Sequence, residues 1–202
     1  MRKRCICLTV LVLLCLSGCT AAQNNSVTVT PVSWAEGKDV WMQAHLGAAY
    51  RCYDVQADHL PEDQGMAVAV ERWEQGVLAE ELGGLAQPIA GTELRRGKIS
   101  VSLHWQGTTD SPQRDMRVIL AMSSADTGGK TATGHVSRAV DAVGLPVAEG
   151  AGYYWLDAPT VSEDDINTQY IGGYFCGTKG YSDWERAVND HDWALLFRIQ
   201  PQ

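Results

Sequence analysis

A chain of 202 residues, 45% of them hydrophobic and 20% charged, is long enough for one sizeable core and slightly short for two. Its 24 Asp and Glu outnumber 16 Lys and Arg, giving a formal charge of −8 at pH 7. That balance removes the basic footprint which binding to a nucleic-acid backbone requires, so no nucleic-acid partner is expected.

The first 19 residues read as a processing signal. Arg2, Lys3 and Arg4 precede the apolar run Ile6 to Leu16, which closes on Leu16-Ser17-Gly18-Cys19. The run is too short and wrongly flanked for an ordinary membrane-spanning helix, and the small pair Ser17-Gly18 admits a peptidase. This order resembles the lipobox of exported bacterial lipoproteins. The resemblance implies cleavage before Cys19, a diacylglycerol on its thiol, and an extracytoplasmic domain anchored to the cell membrane by that lipid. Two acyl chains supply the two signals that stable anchoring needs. Loss of residues 1–18 leaves 184 residues, with 13 Lys and Arg against all 24 acids, a balance of −11. Such a domain is repelled by anionic headgroups near its anchor. The expected organisation is a signal peptide over 1–18, a lipidated N-terminus and tether over 19–33, and one domain over 34–202.

Within the domain, Val40 to Tyr53 reads as a strand, although its alanines leave a helix open. Met66 to Trp73, then Glu74-Gln75-Gly76 and Val77 to Glu80, reads as a hairpin around a glycine turn. Ile99, Val101, Leu103 and Trp105 alternate with polar residues, as do Met116, Val118, Leu120 and Met122. This period of two predicts half-buried strands, and the turn-rich Gly107 to Gln113 makes them an antiparallel pair. Thr133 to Val143 places Val136, Ala139, Val140 and Val143 at helical spacing and predicts a helix. Tyr153 to Leu156 and Tyr170 to Cys176 read as strands, Tyr181 to Val188 as a short helix, and Trp193, Leu195, Phe197 and Ile199 as a closing strand. The fold class is all-β or mainly β. An antiparallel β-sandwich, immunoglobulin-like or jelly-roll-like, or an open barrel with one or two short helices, accommodates these elements.

After the signal is removed and Cys19 is lipidated, Cys52 and Cys176 are the remaining thiols. Paired, they would stabilise the fold by about 4–5 kcal/mol in the chain-entropy model; two separately buried thiols are the alternative. Neither cysteine has a second Cys or His at metal-ligand spacing, and the five histidines are too scattered to share an ion, so no metal is expected. His104 falls on the polar face of its strand and is expected to be exposed. Ser124 to Thr131 imitates a phosphate-binding loop but carries serine where the first glycine is needed, so it reads as a turn, and no cofactor is expected. No Gly-x-Ser-x-Gly elbow is present. Glu71, Glu74, Glu80, Glu81, Asp157 and Asp165 could supply a glycosidase pair only if the fold set two of them about 5–10 Å apart; Glu80 and Glu81 point to opposite faces of one strand.

All seven tryptophans lie in the domain. Trp105 and Trp193 continue apolar faces and belong to the core, whereas Trp34, Trp41, Trp73 and Trp184 are less constrained and are candidate ligand-contact aromatics. The resulting expectation is a membrane-anchored, exported, non-catalytic binding or interaction domain for an unknown protein or small-molecule ligand. The alternative is a glycan-directed surface hydrolase using separated carboxylates.

Overall fold

The computed structural model describes residues 26–32, 45–46, 49–58, 65–87, 96–108, 110–125, 132–147, 152–155, 160–162, 169–175, 188–189 and 192–201. Every element among them is a strand: β1 (Ser26–Pro31), β2 (Tyr50–Asp58), β3 (Met66–Glu74), β4 (Val77–Gln87), β5 (Arg96–Gln106), β6 (Gln113–Ala125), β7 (Ala132–Pro146), β8 (Gly152–Trp155), β9 (Thr160–Ser162), β10 (Gln169–Phe175) and β11 (Trp193–Pro201). They form two antiparallel sheets packed as a sandwich. One has the order β7-β6-β5-β2-β1, with the three-residue β9 added outside β1; the other has the order β4-β3-β11-β10-β8.

The alternating residues build the core. Ile99, Val101 and Leu103 from β5 and Met116, Val118, Leu120 and Met122 from β6 face Val68 and Val70 of β3 and Trp193, Leu195, Phe197 and Ile199 of β11. Sheet-to-sheet burial of this kind contributes about 1.5–3 kcal/mol for each large apolar side chain. Tyr53 of β2 adds a polar tie, its hydroxyl donating to the Ile171 carbonyl of the opposite sheet at 2.6 Å. Ile171 is skipped where the β10–β11 register shifts between Tyr170 and Gly172, so the phenol supplies its carbonyl with a donor.

The hairpin read from Glu74-Gln75-Gly76 is the β3–β4 connection. Gln75 and Gly76 both have positive φ, 49° and 80°, the geometry of a two-residue turn whose twist matches its strands. A Cβ on Gly76 would overlap Asn189 Oδ1, and Gln75 N donates to Asp192 O at 3.1 Å, so Asn189 and Asp192 of the β10–β11 connection are seated against this turn. Gly76→Ala is expected to lower the unfolding free energy by about 1–3 kcal/mol through left-handed strain and that overlap. Urea denaturation measures it, and an unchanged midpoint would refute this account of the turn.

Three expectations are corrected. Thr133 to Val143 is the middle of strand β7, not a helix. Val136, Val140 and Ala142 turn inward while Ala139 and Val143 are exposed, so half of the supposed helical stripe is never buried. Pairing with β6 runs from Gln113↔Pro146 to Ala125↔Ala132, and that ladder outweighs a weak spacing signal. The strand expected over Val40 to Tyr53 begins at Tyr50 and continues to Asp58. Ser26–Pro31, inside the stretch read as tether, is β1, paired with β2, so the folded unit reaches back to Ser26. The short helix expected over Tyr181 to Val188 lies outside the described residues apart from Val188.

Candidate functional site

The outer face of the second sheet carries a buried charge. On β3, Ala67, Ala69, Glu71 and Trp73 alternate outward, and on β11 Ala194, Leu196 and Arg198 do so beside them. The Glu71 side chain is 1% exposed and accepts three donors: Arg198 Nε at 2.5 Å, Trp73 Nε1 at 2.9 Å and the Tyr170 hydroxyl at 3.0 Å. Arg198 also reaches Glu81 Oε2 at 3.6 Å, and Glu81 is the cross-strand partner of Glu71. Trp73 and Tyr170 meet edge to face at 6.4 Å. Phe175, Val188, Ala194 and Leu196 form a small apolar cluster on the same face, with Trp73, Tyr154 and Tyr170 packed against it. Val188, from the β10–β11 connection, joins this cluster and so helps cover the network. A carboxylate this buried persists because its oxygens are matched by donors.

The environment of Tyr170 favours its neutral form. Burial raises its phenol well above the ordinary value of 10.0, and the Glu71 charge and hydrogen bond add to the rise, partly offset by Arg198. Burial also raises Tyr153. A phenol raised in the folded state contributes stability that is fully present below its unfolded value and lost as pH climbs toward the folded one. Unfolding free energy is therefore expected to hold to about pH 10 and to fall above it. Tyr170→Phe should be less stable at pH 8 yet decline less steeply above pH 10; equal slopes in denaturation series would contradict the assignment.

One end of the sandwich carries a different arrangement. Trp105 stands one residue before the end of β5, Arg114 is the second residue of β6, Tyr153 the second of β8, Tyr174 the last but one of β10, and Trp193 the first of β11. The antiparallel order brings these positions to the same end. Ring centroids link them in series: Trp105 to Tyr174 at 5.5 Å, Tyr174 to Trp193 at 5.7 Å, and Tyr174 to Tyr153 at 5.0 Å. The Arg114 guanidinium lies 5.1 Å from the Trp105 centroid, a cation–π contact. Arg114 Nε and Trp193 Nε1 are both buried without a hydrogen-bond acceptor among the described residues. Arg114 also has no ion pair among them. Opposite Arg114, β7 carries one extra residue, with Gly144 at a φ of +67° and its N–H donating to Asp115 Oδ1 at 2.9 Å. This bulge returns Leu145 to the inner face beside Arg114.

Of the residues singled out from sequence, Trp73 stands in the Glu71 network, half-buried. Cys52 is buried on β2, on the face turned away from Tyr53 and the core, with Tyr50 as its neighbour on that face. Cys19, Trp34, Trp41, Cys176 and Trp184 lie outside the described residues. His104 does occupy the polar face, but it is half-buried rather than exposed, with Nε2 3.0 Å from Ser102 Oγ. Ser124 and Ala125 end β6 and Ala132 opens β7, so the glycine run connects two strands rather than leading into a helix as a phosphate-binding loop does. Among the described residues, no group of three or more His, Cys, Asp or Glu could hold a metal ion.

Each arrangement joins distant parts of the chain: Glu71 and Arg198, 127 positions apart, meet on the outer face, while Arg114 and Trp193 belong to the aromatic series at one end. The available signal was charge inside an apolar strand: the adjacent Glu71 and Arg72 in Met66 to Trp73, and the lone Arg198 in Trp193 to Ile199. No protein-family model, no curated protein and no solved structure matches this chain.

Proposed function

We propose that the protein is an exported bacterial lipoprotein, anchored through lipid on Cys19, whose β-sandwich is a non-catalytic binding domain. The anchor reading rests on Arg2 to Arg4, the short apolar run and Leu16-Ser17-Gly18-Cys19. The binding reading rests on one observation: at one end of the sandwich two donors, Arg114 Nε and Trp193 Nε1, are buried without an acceptor beside linked aromatic rings. Buried donors without acceptors are costly in a free protein and become useful when a ligand supplies the acceptor.

The competing hydrolase reading draws less support from the carboxylates. Glu71 and Glu81 are cross-strand neighbours, but both engage Arg198, and Glu71 already accepts two further hydrogen bonds. A general base needs a lone pair directed at substrate, and most of the capacity of this carboxylate is committed to the protein.

Palmitate labelling in a bacterial host tests the anchor. The wild-type chain is expected to incorporate label, to be blocked by globomycin, and to lose both label and membrane association in Cys19→Ala; acylation surviving in that variant would refute the assignment. Incubation of the purified full chain with cell-wall glycan tests the absence of catalysis, and steady release of reducing ends, abolished in Glu71→Gln, would favour the hydrolase instead.

A further inference from the structure

We propose that the anchored domain stands on the Ser26 end of its strands and presents its far end, around the β3–β4 hairpin, to a protein partner whose surface offers an apolar pocket rimmed by basic side chains. This rests on the lipid-anchor and binding-domain readings and gives them an orientation and a partner chemistry.

Covalent geometry sets the orientation. Thr28, Gln56 and Arg96 lie at one level of the first sheet, and β5 runs on from there to Gln106. At the ordinary rise of a strand, the far end of β5 is roughly 35–40 Å from Ser26. The hairpin belongs to that far end: Tyr174 has ring contacts with Trp105, near the end of β5, and with Trp193, which pairs with Glu74 beside the turn. The chain from Cys19 to Ser26, fully extended, spans at most about 25 Å. A lipid on Cys19 therefore holds the Ser26 end near the membrane, and an inverted domain cannot bring the hairpin down to it. The acidic balance of the domain also works against its lying flat on anionic headgroups.

The surface at the far end sets the partner chemistry. Of the large apolar side chains exposed among the described residues, Val77, Leu78, Val143 and Val147 are all at this end, with Val77 67% and Val143 65% exposed, and Ile119 stands apart in the middle of β6. Val77 and Leu78 open β4, and Val143 and Val147 flank the end of β7, the margin that lies against β4. Single exposed apolar residues need no explanation, but four gathered at one end of adjoining strands mark an interaction site. Their support is already ordered, since the turn is held by Gln75 N on Asp192 O and by Asn189 against Gly76, so docking forfeits little freedom there. The exposed charges around them are acidic: Glu74, Glu80, Asp110 and Asp192. The cations at this end are half-buried and engaged, Arg72 with Glu74 and Arg114 over Trp105, while Arg117 farther along β6 is matched by Asp141. A basic rim on the partner complements that field.

Photo-crosslinking of the full chain in its native bacterial cells tests the partner, with p-benzoylphenylalanine placed at Ala79, beside the patch, or at Ala86, exposed near the other end of the same strand. A discrete protein adduct is expected from position 79 and none from position 86. Val77→Ser with Leu78→Ser should weaken the adduct about tenfold or more, and Glu80→Lys should weaken it more than Glu80→Gln does. These side chains are exposed, so an unchanged urea midpoint is expected to show that the variants fold. An adduct sensitive to both changes supports the proposal. No adduct, equal adducts from the two positions, an adduct with lipid or with a second copy of this chain, or an adduct that either change leaves undiminished in a folded variant overturns it. The comparison of positions 79 and 86 does not depend on the patch variants folding. For the orientation, the acylated chain is placed in vesicles of phosphatidylethanolamine and phosphatidylglycerol, with a donor dye attached through p-azidophenylalanine at position 79 or 86 and an acceptor on the lipid headgroups. Energy transfer is expected to be weaker from 79 than from 86; equal or stronger transfer from 79 overturns the orientation. Acylation at Cys19 and the glycan-cleavage assay judge the broader readings separately.

Discussion

Glu71→Ala is expected to lower the unfolding free energy by about 3–5 kcal/mol, a large share of the stability of a domain this size. The variant removes a buried acceptor and leaves three donors behind: Arg198, whose side chain is only 19% exposed, together with the Trp73 indole and the Tyr170 hydroxyl. The cost is that of the abandoned partners more than of the lost attraction. Glu81, half-exposed and 3.6 Å from Arg198, compensates only weakly. Glu71→Gln should fall between wild type and Glu71→Ala, since the amide retains one acceptor oxygen but turns an N–H₂ toward donors. A paired replacement, Glu71→Leu with Arg198→Met, should recover much of the loss, because apolar substitutes for a buried ion pair are often neutral or better. Equilibrium denaturation of the four chains checks the series. A single-variant loss below about 1 kcal/mol would mean that the network is solvated rather than buried.

Phe197→Ala is expected to have an effect of similar size by another route, about 3–5 kcal/mol. Phe197 is fully buried at the middle of β11, between β3 and β10, and Trp155 stacks on it at 5.7 Å with the rings 18° apart. Truncation leaves a void between two sheets whose backbones are held by their ladders, so the walls close poorly and the cavity cost adds to the lost transfer energy. Phe197→Leu should cost much less. Comparable losses for the two variants would show that this layer of the core is already loose.

The strands that were legible in the sequence are those with one face in the core and one outside it. β5, β6 and β11 alternate cleanly because each buries one face against the opposite sheet. β3 was legible through its turn, since Gln75-Gly76 advertises the positive φ that a tight hairpin needs. β7 was misread because valine and alanine recur at spacings that suit a helix or a strand, and an edge strand buries too few of them to settle the period. β1 was missed because Ser26-Val27-Thr28-Val29-Thr30 looks polar, although its alternating valine and threonine are good strand formers. The site residues were less legible still. Glu71 and Arg198 meet only through β3–β11 pairing, and Arg114 looks like any surface arginine until the sandwich sets it over Trp105.

The margins of the two sheets carry a colloidal consequence. On one side β8 and β9, four and three residues long, terminate their sheets with little backbone left to template another chain. On the other, the long margins β4 and β7 lie against each other, and Arg138 Nη1 of β7 occupies the Gly84 carbonyl of β4 at 3.0 Å. An incoming strand thus finds either a stub or an acceptor already taken. Such finishes work against the growth of sheet on sheet between crowded molecules at β8, β9 and Gly84, alongside the repulsion of like net charge.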